Sequence, residues 1–218
     1  MLTLNIETSR NLTSVSLALD SNLECILNVD SERPNHCELL APLIDKLFEN
    51  TSFVLRDIEE VRVNVGPGNL SSLRVGISTA NALSSFGNIP AYGISSFLLY
   101  AFGLNYNFDN LLTLFDLKNG LFAFAKFKRI KEKIVLVDQN FKVSMDELRL
   151  VNVENTLLVG TAAGKIDTTC FIKSYGLTVD ADFAIDSGSL SRVDLNFNPE
   201  HILLSKPLMP FNSFSFVS

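Results

Sequence analysis

The sequence predicts an α/β protein of two lobes, each a strand-rich sheet with helices packed against it. Three observations predict it. Short β-branched and aliphatic runs open the chain, segments of helical and strand period then alternate as far as Ile94, and a second strand-rich series begins at Leu111 as if the opening were repeated. The 218 residues suffice for one large domain or for two lobes of about 100 residues each. With 47% apolar and 19% charged residues and no low-complexity tract, the composition is that of a chain able to bury a core, with no tail beyond the last few residues. The lobes are drawn as 1–104 and 105–218.

Leu2 to Thr8, Thr13 to Leu19 and Leu23 to Val29 are separated by polar turns and read as a three-stranded meander. Leu39 to Phe48 has helical spacing, Val61 to Val65 is an apolar strand, Ser71 to Phe86 is helical, and Ala91 to Ile94 is a short strand. In the second half Leu111 to Phe115, Leu121 to Phe127 and Lys133 to Asp138 read as strands, the first two joined through an Asn119-Gly120 turn. Thr156 to Val159 is a further short strand, followed by a turn at Gly160 to Gly164.

On a helical wheel Leu39, Leu43, Leu47, Leu40, Ile44 and Phe48 cover about 180°, wider than the roughly 100° stripe that packing on one sheet requires. The excess points to a second surface, another helix or another subunit; burial between sheet and lobe accounts for it equally. Pro42 falls near the helix start, where a missing N–H costs least. The second helix is rich in small residues, Gly76, Ser78, Ala80, Ala82, Ser84 and Ser85, which lets a neighbouring helix approach closely.

Between these helices, Val61 to Val65 runs into Gly66-Pro67-Gly68-Asn69, and Leu70-Ser71-Ser72-Leu73-Arg74-Val75-Gly76 opens the next helix. Glycine allows the turn, proline fixes its own φ, and Asn69 is suited to cap the helix. No Lys-Ser or Lys-Thr follows and the spacing is not G-x-G-x-x-G, so this is neither a P-loop nor a dinucleotide fingerprint.

A net charge of −6 repels phosphate, so RNA contact requires a local basic patch. Lys126, Lys128, Arg129, Lys131 and Lys133 supply one, with a solvated turn between strands as the plainer reading. Cys25, Cys37 and Cys170 are widely spaced and read as free thiols. The absence of a basic start, an apolar leader or a span of membrane length makes a cytoplasmic protein the expectation.

Gly66-Pro67-Gly68-Asn69-Leu70-Ser71-Ser72-Leu73-Arg74-Val75-Gly76 resembles the GPGSFTGLRxG signature of the TsaB and TsaD families, which take part in attaching a threonylcarbamoyl group to adenosine in tRNA. Gly66, Pro67, Gly68, Leu73, Arg74 and Gly76 are kept; Asn69, Leu70, Ser71 and Ser72 depart. Leu4-Asn5-Ile6-Glu7-Thr8-Ser9 resembles the I-D-T-S start, and His36 with Glu38-Leu39-Leu40-Ala41-Pro42-Leu43-Ile44 resembles H-x-E-x-L-x-P-x-I. These motifs cover the first lobe; beyond it the likeness rests on Asp116.

The resemblance implies a fold of the actin, Hsp70 and sugar-kinase type (ASKHA, RNase H-like), mixed sheets flanked by helices, with lobes related by internal repetition. It also implies the non-catalytic subunit rather than the transferase. The metal pair H-x-x-x-H of the catalytic relatives is broken here, because Leu40 stands four residues after His36, so no metal and no cofactor are expected. A TsaD-like catalytic subunit is the implied partner, a TsaE-like ATPase and tRNA join through that complex, and a homodimer is a further possibility. The expected partner-binding residues are His36, Leu39, Leu40, Leu43, Ile44, Leu47, Leu73, Ile77 and Ala80. Two alternatives stay open: an ATPase or small-molecule kinase using Glu7, Thr8 and Asp116 as an acid-lined nucleotide site, and a structural homodimer built on the same helices. Neither H-E-x-x-H nor a nucleophile-and-base set is present, which argues against a peptidase.

Overall fold

The computed structural model describes residues 1–33, 35–104, 108–131, 133–197, 201–204 and 207–210; the expected short C-terminal tail falls outside them. The chain divides into two compact units, Met1–Gly103 joined by the segment that starts at Ile185, and Leu104–Ala184. The sequence-drawn second lobe ran on from residue 105 to the end, so the return at Ile185 corrects it. The returning segment is short and carries little periodicity, which is why pattern alone left it with the lobe before it.

The first unit opens with β1 (Leu2–Glu7), β2 (Leu12–Leu19) and β3 (Asn22–Asp30), then α1 (His36–Glu49), β4 (Glu60–Gly66), α2 (Leu70–Gly87), β5 (Ala91–Ser95) and α3 (Ser96–Gly103). β1, β2 and β3 form an antiparallel meander, and β4 and β5 add in parallel beside β1. β1 and β4 alternate strictly. Leu2, Leu4, Ile6, Val61, Val63 and Val65 face one side and join Leu40, Leu43, Ile44, Leu47, Leu73, Ile77 and Ala80 of α1 and α2 in one apolar core. Thr3, Asn5, Glu7, Glu60, Arg62 and Asn64 face the other side and are buried too.

The helix at Ser96–Gly103 was not predicted. Its eight residues, SFLLYAFG, are almost uniformly apolar, so no 3.6-residue period shows, and Phe97, Leu98, Leu99 and Tyr100 are fully buried. The wide apolar arc of α1 also finds its cause: α1 packs on both β2 and α2, two surfaces of its own unit.

The second unit contains β6 (Asn110–Asp116), β7 (Leu121–Ile130), β8 (Lys133–Ser144), a single turn α4 (Met145–Leu148), β9 (Thr156–Val159) and β10 (Thr178–Val179). Its sheet order is β10-β9-β6-β7-β8. β6, β7 and β8 are antiparallel in sequence, while β9 pairs parallel with β6 and β10 with β9. Strand for strand, this repeats β1 to β5 of the first sheet. The helices do not repeat: α1 and α2 have only one turn and a 3-10 turn (Thr168–Cys170) as counterparts. The first sheet is completed by β11 (Ile202–Leu203), antiparallel to β5, and the returning segment contributes α5 (Ser187–Ser191). α5 packs against β1, β2, β3 and β4.

Candidate functional site

The motif loop is clamped to the end of β1. Gly66, at φ 104°, closes β4 in a conformation that favours glycine, and the Gly66–Pro67 peptide is cis. Asn69 N–H donates to Ser9 O at 2.9 Å, and Asn69 Oδ1 accepts from Ser71 N–H at 3.1 Å, which is the expected helix cap. Thr8 Oγ–H donates to Ser72 O at 2.9 Å. The two kept glycines have steric reasons: a Cβ at Gly68 would lie 2.8 Å from the Ser9 Cβ, and one at Gly76 would lie 2.6 Å from Thr8 Oγ1.

Glu7 ends β1 and is 1% exposed. Its Oε1 accepts from Ser9 N–H at 2.6 Å and its Oε2 from Asn64 Nδ2–H at 2.6 Å. The Asn64 amide is oriented from its other end, because its Oδ1 accepts from Gly66 N–H at 2.8 Å. Ser96 Oγ lies 2.9 Å from the same Oδ1 and 2.8 Å from Pro67 O. Burial pushes the Glu7 carboxyl above the usual carboxylate range, against the two hydrogen bonds that favour its ionised form. Both carboxyl oxygens are thus spent on holding the strand end and the loop together. Asn64 and Ser96, absent from the sequence-derived site, complete this network; the alternation Glu60-x-Arg62-x-Asn64 on an otherwise valine strand was their visible trace.

His36 opens α1 and is buried. Its Nε2 lies 3.0 Å from the Arg10 carbonyl oxygen, which can only accept, so Nε2 carries the proton. Nδ1, 2.8 Å from Thr13 Oγ1, then accepts from the hydroxyl. Neither ring nitrogen offers a lone pair to a metal. Burial lowers the His36 pKa below its usual 6.5, only partly offset by the bond to Arg10 O. The unfolded chain therefore takes up a proton near pH 6.5 that the folded chain refuses until lower pH, and stability falls as pH drops through that value. Glu7 acts with the opposite sign: its contribution is present below its usual 4.5 and is lost as pH rises through its raised folded value. Comparing wild type with His36→Gln cancels the Glu7 part. The stability lost between about pH 7.5 and about pH 5.5, read from urea unfolding, is expected to be smaller in the variant.

Of the residues expected to meet a partner, His36, Leu40, Leu43, Ile44, Leu47, Leu73, Ile77 and Ala80 are at most 8% exposed and face the chain's own sheet. Leu39 is half-buried. A partner lying on these helices meets other side chains: Ala41, Pro42 and Asp45 on α1, and Ser71, Arg74, Ser78, Ala82 and Ser85 on α2, all exposed. The α2 set recurs every three or four residues, one stripe of mostly small side chains. In the second unit Asp116 ends β6, accepts from Lys118 N–H at 2.7 Å, and lies 3.7 Å from Lys165 Nζ. It borders an open cavity of about 420 Å³ with Phe122, Met145 and Lys165. Among the described residues, no group of three or more His, Cys, Asp or Glu side chains is placed to hold a metal ion.

Residues 31–171 match the family model described as TsaD, tRNA N6-adenosine threonylcarbamoyltransferase. The chain belongs to the TsaD family. A tRNA N6-adenosine threonylcarbamoyltransferase of Tropheryma whipplei (strain Twist) is 35% identical over 66 residues, 30% of this chain and 16% of that protein. The chain thus spans about a sixth of the length of such curated relatives. The tRNA threonylcarbamoyladenosine biosynthesis protein TsaB of Buchnera aphidicola subsp. Acyrthosiphon pisum is 22% identical over 180 residues, 68% of this chain and 81% of that one. YeaZ from Pseudomonas aeruginosa has the same fold, with a TM-score of 0.74 and 15% identity over 87% of this chain and 88% of that chain. The motif resemblance to TsaB therefore stands, and with it the two-lobed fold of mixed sheets. No helix among the described residues is long and apolar enough to cross a membrane.

Proposed function

We propose that this chain serves tRNA threonylcarbamoyladenosine biosynthesis as a non-catalytic subunit that docks a TsaD-like transferase. The observation that carries the reading is the exposed stripe Ser71, Arg74, Ser78, Ala82 and Ser85 on α2, beside α1 and directly after the motif loop. Small side chains let a partner helix come close, and the clamp between Glu7, Asn64 and the loop holds the start of α2 in place for it. A TsaE-like ATPase joins through the transferase, and the tRNA is bound as part of the complex. The competing reading, a lone ATPase, is weakened because Glu7 has both carboxyl oxygens engaged by Ser9 and Asn64.

Ala82→Arg places a long cation on the stripe without touching the core. Size-exclusion chromatography with light scattering, run with the TsaD-like protein of the same organism, is expected to show a mixed peak for wild type. Affinity for the variant should be at least about tenfold weaker, 1.4 kcal/mol or more, with an unchanged melting temperature. A variant that assembles as tightly as wild type removes this face from consideration.

A further inference from the structure

The β7–β8 hairpin carries a charge distribution that the subunit role leaves unused. From Leu121 to Ser144 it holds six of the chain's 18 Lys and Arg residues and two acids, a local +4 in a chain of −6, so the remainder stands at −10. The register places Lys128 opposite Val135 and Ile130 opposite Lys133, so Lys128 and Lys133 project from one face of the ribbon. Lys131 sits in the turn at φ 58°. Lys128, Lys131 and Lys133 are exposed and make no ion pair among the described residues. Lys126 differs: its ammonium donates to Asn152 O, and Asp138 and Glu154 lie near enough to act on it. Arg129 stacks over the Phe108 ring at 4.7 Å, with its Nε buried and without a hydrogen-bond partner. β8 is the outer strand of its sheet among the described residues.

We propose that Lys128, Lys131 and Lys133 form an RNA-backbone contact, through which the second unit holds tRNA by its phosphates. The inference rests on the tRNA-modification reading but not on the docking face. Three exposed ammonium groups on one ribbon of an acidic chain, without an ion pair among the described residues, fit a polyanion. The large exposed apolar residues around them, Ile130, Val135 and Val137, are aliphatic, so among the described residues no exposed aromatic ring stands beside these lysines for a base to stack on or for anchoring at a lipid interface. Phosphates rather than bases are read, and contact is independent of sequence.

The test measures anisotropy of a fluorescein-labelled unmodified tRNA transcript titrated with the full chain, at about 50 mM and about 200 mM KCl. Wild type is expected to bind, weakening as salt rises. Lys128→Ala/Lys131→Ala/Lys133→Ala should lose at least about tenfold in affinity and lower the log–log salt slope by about two to three, since each phosphate contact contributes about 0.7–0.9. Lys→Arg at the same positions should restore binding. Unchanged affinity in the alanine variant overturns the proposal, as does no binding by wild type at low salt. Tighter capture of wild type by anionic phosphatidylserine vesicles than by tRNA overturns it in favour of a lipid surface. An alanine variant that pairs normally with the TsaD-like protein but loses tRNA supports both readings. tRNA binding through the hairpin without pairing leaves this inference standing and sinks the docking one.

Discussion

An aspartate at Leu43 or Ile77 is expected to unfold the first unit rather than merely detach a partner. Leu43 is 8% and Ile77 3% exposed, and both lie in the core shared by β1, β4, α1 and α2. A carboxylate there loses its water and finds no cation. It must ionise at a penalty or stay protonated, and either way it removes the apolar contacts of Leu or Ile; the loss amounts to several kcal/mol. Against a total stability of about 5–15 kcal/mol for a domain, that takes most of what is available. Urea unfolding followed by circular dichroism should give a far lower midpoint for both variants, or no folded baseline. If either keeps the wild-type midpoint and loses only assembly, its side chain faces outward in solution and the burial described here is wrong. Ala82→Arg is the necessary contrast, because only an outward substitution can separate assembly from folding.

The reason those buried residues first looked like an interface is physical. A helical wheel reports how wide an apolar arc is, not how many neighbours fill it, and α1 meets both the sheet and α2. The elements of the first unit were legible because their periods differ cleanly: alternation in β1 and β4, 3.6-residue spacing in α1 and α2, and a Gly-Pro-Gly-Asn turn between. The second sheet was legible as strands that repeat the opening series, but the parallel addition of β9 and β10 beside β6 lies in pairing and direction, which no local pattern encodes. α3 was hidden by being apolar all round. The Glu7 network was half visible. Glu7 was singled out as an acid of an alternative nucleotide site, whereas Asn64 and Ser96, which turn it into a structural clamp, are unremarkable residues until the fold brings them within hydrogen-bond distance. The burial of the polar residues of β1 and β4 has no local sign in the sequence. They are buried because the segment from Ile185 returns over them, a contact more than a hundred residues distant in sequence from β4.

That return depends on Arg62, and Arg62→Ala is expected to be among the most damaging substitutions outside the apolar core. Arg62 Nε donates to Glu60 Oε1 at 2.5 Å, and Nη1 donates to the carbonyls of Leu190 at 3.1 Å and Val193 at 3.3 Å. The two side chains are 6% and 3% exposed. Truncation leaves the Glu60 carboxylate buried without its cation and withdraws a donor from the chain after α5, for about 3–5 kcal/mol. Glu60→Leu combined with Arg62→Met removes both charges, so it should recover much of that loss while leaving the two carbonyls without their guanidinium donor. A double-mutant cycle by urea unfolding separates the parts. Limited proteolysis gives an independent readout: Arg62→Ala should expose the segment around Leu190 to cleavage, and the double variant should as well, because both lack the guanidinium that pins it to β4. A loss below about 1 kcal/mol in Arg62→Ala would mean that the pair is solvated and that something else holds the returning segment in place.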